Sequence, residues 1–105
     1  MKTILLTLLL VIGLPALSQN VTVLQINAKW NEGNTRNDLK KLRGCKYEFG
    51  YLEDQPKTVS ASINSVPTVV VFKNGKPVKV YRADLSLKLG VPFKEIQEEI
   101  DRLNQ

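Results

Sequence analysis

The 105-residue chain has no histidine and a single cysteine, Cys45. Ser-His-Asp and Cys-His catalysis, histidine-ligated haem and Cys/His zinc sites all need residues it does not contain in the required number. An internal disulfide is impossible for the same reason. Also missing are repeats, low-complexity tracts, Pro- or Gly-rich linkers and long charge runs, so there is room for one small domain. Such a domain buries only about 60 to 65% of the surface its unfolded chain exposes. At 43% hydrophobic and 24% charged the composition is that of a globular protein, and it excludes disordered, collagenous and multi-span membrane classes. The net charge is +5. The cations are scattered, and their one cluster, Lys40, Lys41 and Arg43, reads as a solvated helix end rather than a nucleic-acid surface. No cofactor is expected, and no nucleic acid.

Residues 1–18 read as a secretory signal peptide: Lys2, an apolar run from Ile4 to Leu14, then Ala16 and Ser18 as the small residues before the cut. The run spans about eleven residues, short of the roughly 20 that cross a bilayer as a helix. Cleavage makes Gln19 the mature N-terminus, the domain residues 19–105, and the location periplasmic or extracellular, with no membrane attachment once the leader is removed. An uncleaved anchor is the alternative.

Along the mature chain, Val21 to Asn27 is a β-rich run, followed by turn formers at Asn31 to Asn34. Thr35 to Leu42, with Gly44 beyond it, predicts a helix of two to three turns. From Lys46 to Leu52 the pattern alternates, with Tyr47, Phe49 and Tyr51 on one face, which marks a second strand. A short helix fits Lys57 to Ile63. Thr68 to Phe72 is continuously apolar, as a strand buried on both faces is. Asn74-Gly75 then joins it to Pro77 to Tyr81 by the strongest short hairpin signal. After an irregular stretch from Ala83 to Val91, Pro92 suits a first helical position, and Phe93, Ile96, Ile100 and Leu103 recur at helical spacing. The element order is β-α-β-α-β-β-α.

Three stretches within this order resemble the thioredoxin family. Ala28-Lys29-Trp30-Asn31-Glu32-Gly33-Asn34 is similar to the family's Ala-x-Trp-Cys-x-x-Cys segment with asparagine at both cysteine positions. Ser65-Val66-Pro67-Thr68 is similar to its cis-proline loop, and Phe72 to Val78 to its hairpin. The resemblance covers residues 21 to 103 and implies a minimal thioredoxin-like α/β fold, a four-stranded mixed sheet with helices on both faces. It lacks the extra N-terminal strand and helix of full-length thioredoxins. It also implies what is lost: neither asparagine can attack or resolve a disulfide, and Gln25 stands where the family buries a proton-handling carboxylate.

The resemblance further implies an extended-peptide surface at Trp30, Asn31, Asn34, Val66 and Pro67, with Val66-Pro67 cis and the peptide docking by strand addition. The plainer readings are an edge-of-core tryptophan, a loop-shaping proline and two helix caps. Cys45 reads as a small buried hydrophobe or as an exposed reactive thiol. Glu53 and Asp54, adjacent at a strand end, point to opposite faces and make a poor acid/base pair. Asn20-Val21-Thr22 fits a glycosylation acceptor, but it abuts the cleavage site. The leading expectation is a redox-inactive domain binding an unidentified protein or peptide. The alternatives are thiol chemistry at Cys45 and an assembly role through the hairpin edge or the closing helix. Neither the partner nor the oligomeric state is legible.

Overall fold

The computed structural model describes residues 20–105, so the expected leader and the cut before Gln19 lie outside the described residues. Four strands, β1 (Val21–Asn27), β2 (Lys46–Tyr51), β3 (Thr68–Lys73) and β4 (Lys76–Arg82), form one sheet in the order β2-β1-β3-β4. β1 pairs parallel with β2 and antiparallel with β3, and β3 pairs antiparallel with β4. The β-branched run of β1 thus sits centrally, where packing on a pleated surface favours it. Asn74 at φ 52° and Gly75 at φ 82° adopt the left-handed backbone that a type I′ hairpin turn requires.

Register decides which residues share a face. Val23 lies between Tyr47 and Val71, and Gln25 between Phe49 and Val69. The core forms on this side: Val21, Val23, Val69 and Val71 are fully buried with Leu39 and with Ile96 and Ile100 of a C-terminal helix, α2 (Phe93–Leu103). Pro92 sits one position earlier than expected, in extended backbone just before α2. Gln97 closes the helix onto the chain before β2: its Oε1 accepts from Arg43 N, and its Nε2 donates to Arg43 O, both at 2.9 Å.

The helix expected over Thr35 to Leu42 does not form. Within that range only a 3-10 segment, Asn37–Lys41, forms, and another, Lys29–Asn34, precedes it. The physical reason lies in two buried amides of β1. Gln25 claims both backbone groups of Arg36, accepting from its N–H at 2.9 Å and donating to its carbonyl at 3.1 Å. Asn27 Nδ2 donates to the Asn31 carbonyl at 2.9 Å. Of these groups, the Arg36 carbonyl is the one that a helix over Thr35 to Leu42 would pair four residues on, and the Asn31 carbonyl is the one that would let it run back into the preceding segment. The Arg36 side chain reinforces the break by donating from Nη1 to Leu89 O and Val91 O, which ties down the stretch before α2.

The other sheet face is unevenly covered, with Ile26 and Phe72 buried. The second expected helix shrinks to α1 (Lys57–Ser60), four residues long. Leu24, Val70 and Val80 on that face stay half-buried, so the expected burial of β3 on both sides is incomplete.

Candidate functional site

Trp30 is the one strongly exposed aromatic ring among the described residues, at 67%. Its backbone is nevertheless held on both sides. On one side, the Lys29 N–H donates to both carboxylate oxygens of Glu53, at 3.0 and 3.1 Å, and Lys29 Nζ pairs with Asp54 at 3.3 Å. Glu53 and Asp54 lie in a 3-10 turn, Leu52–Asp54, rather than at a strand end, and both turn toward Lys29.

On the other side stands Asn31, which is buried. Its Nδ2 lies 3.0 Å from Asn27 Oδ1, 3.1 Å from Leu87 O and 3.3 Å from Val66 O. A carboxamide has two N–H groups, so the two carbonyls share the one not taken by Asn27. Asn31 Oδ1 accepts from Asn34 Nδ2 at 2.8 Å. Asn27 completes the network: its Oδ1 accepts from Ala28 N at 2.9 Å, and its Nδ2 reaches Thr35 Oγ1 at 2.8 Å. The asparagines are therefore not caps. They lie inside a 3-10 segment with no side-chain cap bond, and Asn31, held in turn by Asn34, ties the Trp30 segment to the loop at Val66 and to the loop at Leu87.

Of the five residues expected to form a binding surface, Trp30 alone presents its side chain to solvent. Asn34 is half-buried, while Asn31, Val66 and Pro67 are buried. The Val66-Pro67 bond is cis, and Pro67 O accepts from Ala83 N at 3.1 Å. Two features escape a reading by residue type. Asn27 carries no motif, and only its inward register on β1 marks it. The 84–88 loop brings fully exposed Leu85 within two residues of the Leu87 carbonyl that Asn31 holds. Its signal was Asp84-Leu85-Ser86, since Asp84 Oδ1 accepts from the Ser86 N–H and closes a local turn.

The carboxylate position holds no titratable group. Gln25 is fully buried, and besides its two bonds to Arg36 it donates to the Tyr47 hydroxyl at 2.8 Å. Among the described residues no three metal-ligating side chains cluster, and no helix is long and apolar enough to cross a membrane.

No protein-family model and no curated protein matches the sequence. Solved structures match its backbone. A mutant thioredoxin from Halobacterium salinarum superposes with a TM-score of 0.62 at 17% identity, over 83% of this chain and 77% of that one. Thioredoxin f from spinach chloroplast gives 0.62 at 16% identity, over 84% and 74%. A thioredoxin from Fasciola hepatica gives 0.55 at 17% identity, over 84% of each chain. The chain has a thioredoxin-like fold.

In this thioredoxin-like domain the lone thiol is half-buried and packed against the core cluster. Burial pushes Cys45 up to about 11 from an ordinary 9.0. A shift of about two units leaves roughly a hundredfold less thiolate at neutral pH. Ellman's reagent at pH 8 is therefore expected to react at least about 50-fold more slowly with the native protein than with the unfolded chain. Stability should follow suit. The folded chain keeps the thiol proton between pH 9 and about 11 whereas the unfolded chain releases it, so stability falls across that window as pH rises. Allowing for solvent screening of a half-buried group, the loss is about 1 to 2 kcal/mol, and urea unfolding of Cys45→Ser should lack that component. Equal fall in variant and wild type would refute the assignment.

Proposed function

We propose that this chain is an exported, redox-inactive thioredoxin-like domain that binds extended polypeptide non-covalently at the surface around Trp30. The carrying observation is the exposed Trp30 ring on a backbone fixed by Glu53 and by the Asn31 network. A large amphipathic ring standing in solvent on a rigid mount offers contact area at little ordering cost, as recognition sites do. Leu85, on the loop that Asn31 holds through the Leu87 carbonyl, is a second, fully exposed apolar side chain. The absence of redox chemistry is supported by asparagine at both family cysteine positions, by Gln25, and by the raised Cys45 thiol. Export is supported by the composition of residues 1–18.

The test uses a permanently unfolded chain, reduced and carboxymethylated α-lactalbumin, as probe. Titration should shift the Trp30 emission to the blue with saturation, and Trp30→Ala should weaken binding measured by calorimetry at least about tenfold. Unfolding of Trp30→Ala should match wild type within about 0.5 kcal/mol, because so exposed a ring adds little to the core. Unchanged affinity in that variant would overturn the proposal.

A further inference from the structure

The sheet face under α1 holds a cleft of about 310 Å³ between the sheet and the α1 region. Its walls are Leu24, Val70 and Val80 from the strands and Val59 and Ile63 from the α1 side. Most polar groups around it already have partners: Gln55 Nε2 donates to Tyr51 O, Ser62 Oγ to Val59 O, and Thr68 Oγ1 to Ser65 O. Two do not. Among the described residues the side chains of Arg82 and Asn64, both on the rim, make no hydrogen bond or ion pair. An apolar slot with an unpartnered guanidinium and an unpartnered carboxamide at its mouth is complementary to a molecule with an apolar tail and an anionic, planar head.

We propose that this cleft binds a free medium-chain carboxylate, its head on Arg82 and Asn64 and its alkyl chain between the sheet and α1. Size and charge select this occupant. A cleft of about 310 Å³ lies at the small end of the roughly 300 to 1,000 Å³ range of ligand sites, which favours a short or medium alkyl chain over a long one. A second copy docked by the same face would cover the Arg82 guanidinium without offering it an acidic partner, since no Asp or Glu lines the cleft. The cleft shares no residue with the Trp30 surface, so this inference stands apart from the peptide-binding one.

The experiment is calorimetric titration of the purified exported protein with sodium octanoate, octan-1-ol and acetate. Octanoate is expected to saturate one site with a Kd on the order of 0.1 mM, octan-1-ol to bind at least about tenfold more weakly, and acetate not to saturate by about 10 mM. Arg82→Gln, a surface change, should bring octanoate to the alcohol's affinity and leave the alcohol unaffected. Val59→Trp, which fills the slot from the adaptable α1 side, should abolish both, with circular dichroism confirming the fold. No saturation by octanoate, equal affinity for acid and alcohol, or full octanoate binding by Arg82→Gln would each overturn the proposal. So would a dimer, detected by sedimentation, that buries this face and that octanoate does not dissociate.

Discussion

Gln25→Glu is expected to leave the protein near wild-type stability at pH 4 and to destabilise it by about 3 to 5 kcal/mol at pH 7. The substitution preserves shape and changes only the chemistry of a fully buried group. As a neutral acid, the new side chain still accepts from Arg36 N and donates one proton to Arg36 O or to Tyr47, for a loss near 1 kcal/mol. Once ionised it has no proton to donate, and its charge faces the Arg36 carbonyl at the position where Nε2 now sits 3.1 Å away. The Arg36 guanidinium does not rescue it, being engaged by Asp38, Leu89 O and Val91 O. Folding therefore favours the protonated acid and raises its folded pKa above the unfolded value of about 4.3. The variant is most stable below the unfolded value, and its stability falls as pH rises from there through the folded value. For a domain whose total is roughly 4 to 13 kcal/mol, that loss decides whether it folds. Urea titrations at pH 4, 5.5 and 7 read the effect, and a pH-independent penalty would refute it.

The second large effect is Asn31→Ala, expected to cost about 2 to 3 kcal/mol. A helix cap lost to alanine costs about 1 kcal/mol, so the size alone separates a cap from the observed role. The truncation leaves Val66 O, Leu87 O and Asn34 Nδ2 without the partner they have now, while Asn27 Oδ1 keeps Ala28 N. Each buried polar atom so abandoned costs about 1 kcal/mol or more unless water reaches it. Half-buried Asn34, truncated the same way, should cost about 1 kcal/mol or less. Hydrogen exchange adds a local readout, since amides flanking Val66 and Leu87 should lose protection together in Asn31→Ala and not in Asn34→Ala. A cost under 1 kcal/mol with unchanged exchange would show that the two loops are held by other contacts.

What the sequence made legible was local. Asn74-Gly75 announced the hairpin, and the spacing of Ile96 and Ile100 announced the buried side of α2. The alternation of Tyr47, Phe49 and Tyr51 placed them on one face, as the register with Val23 and Gln25 shows. The segment from Lys29 to Lys41 was misread because its conformation is set from a distance. Leu39 and Leu42 bury as a helix would bury them, yet Gln25, eleven residues before Arg36, holds the Arg36 carbonyl that the helix would use. No periodicity within 35 to 42 records that competition. The site was half legible for the same reason: Trp30 belongs to a recognisable segment, whereas Asn27 and the 84–88 loop act through contacts made only in the folded chain.

The sheet's two outer edges carry different insurance against unwanted pairing. β4 presents Lys76, Lys79 and Arg82, has Pro77 in place of a backbone donor, and slips register against β3 at Val71/Phe72. A foreign strand approaching that edge meets positive charge, a missing N–H and a kink, the devices that keep open sheets from growing into aggregates. β2 has none of them. Its charges, Lys46 and Glu48, neutralise each other at 3.1 Å, and Phe49 is exposed beside them. Growth of the sheet by a further strand is thus obstructed at one end of the molecule and unopposed at the other, which gives the domain a direction in which it can be extended.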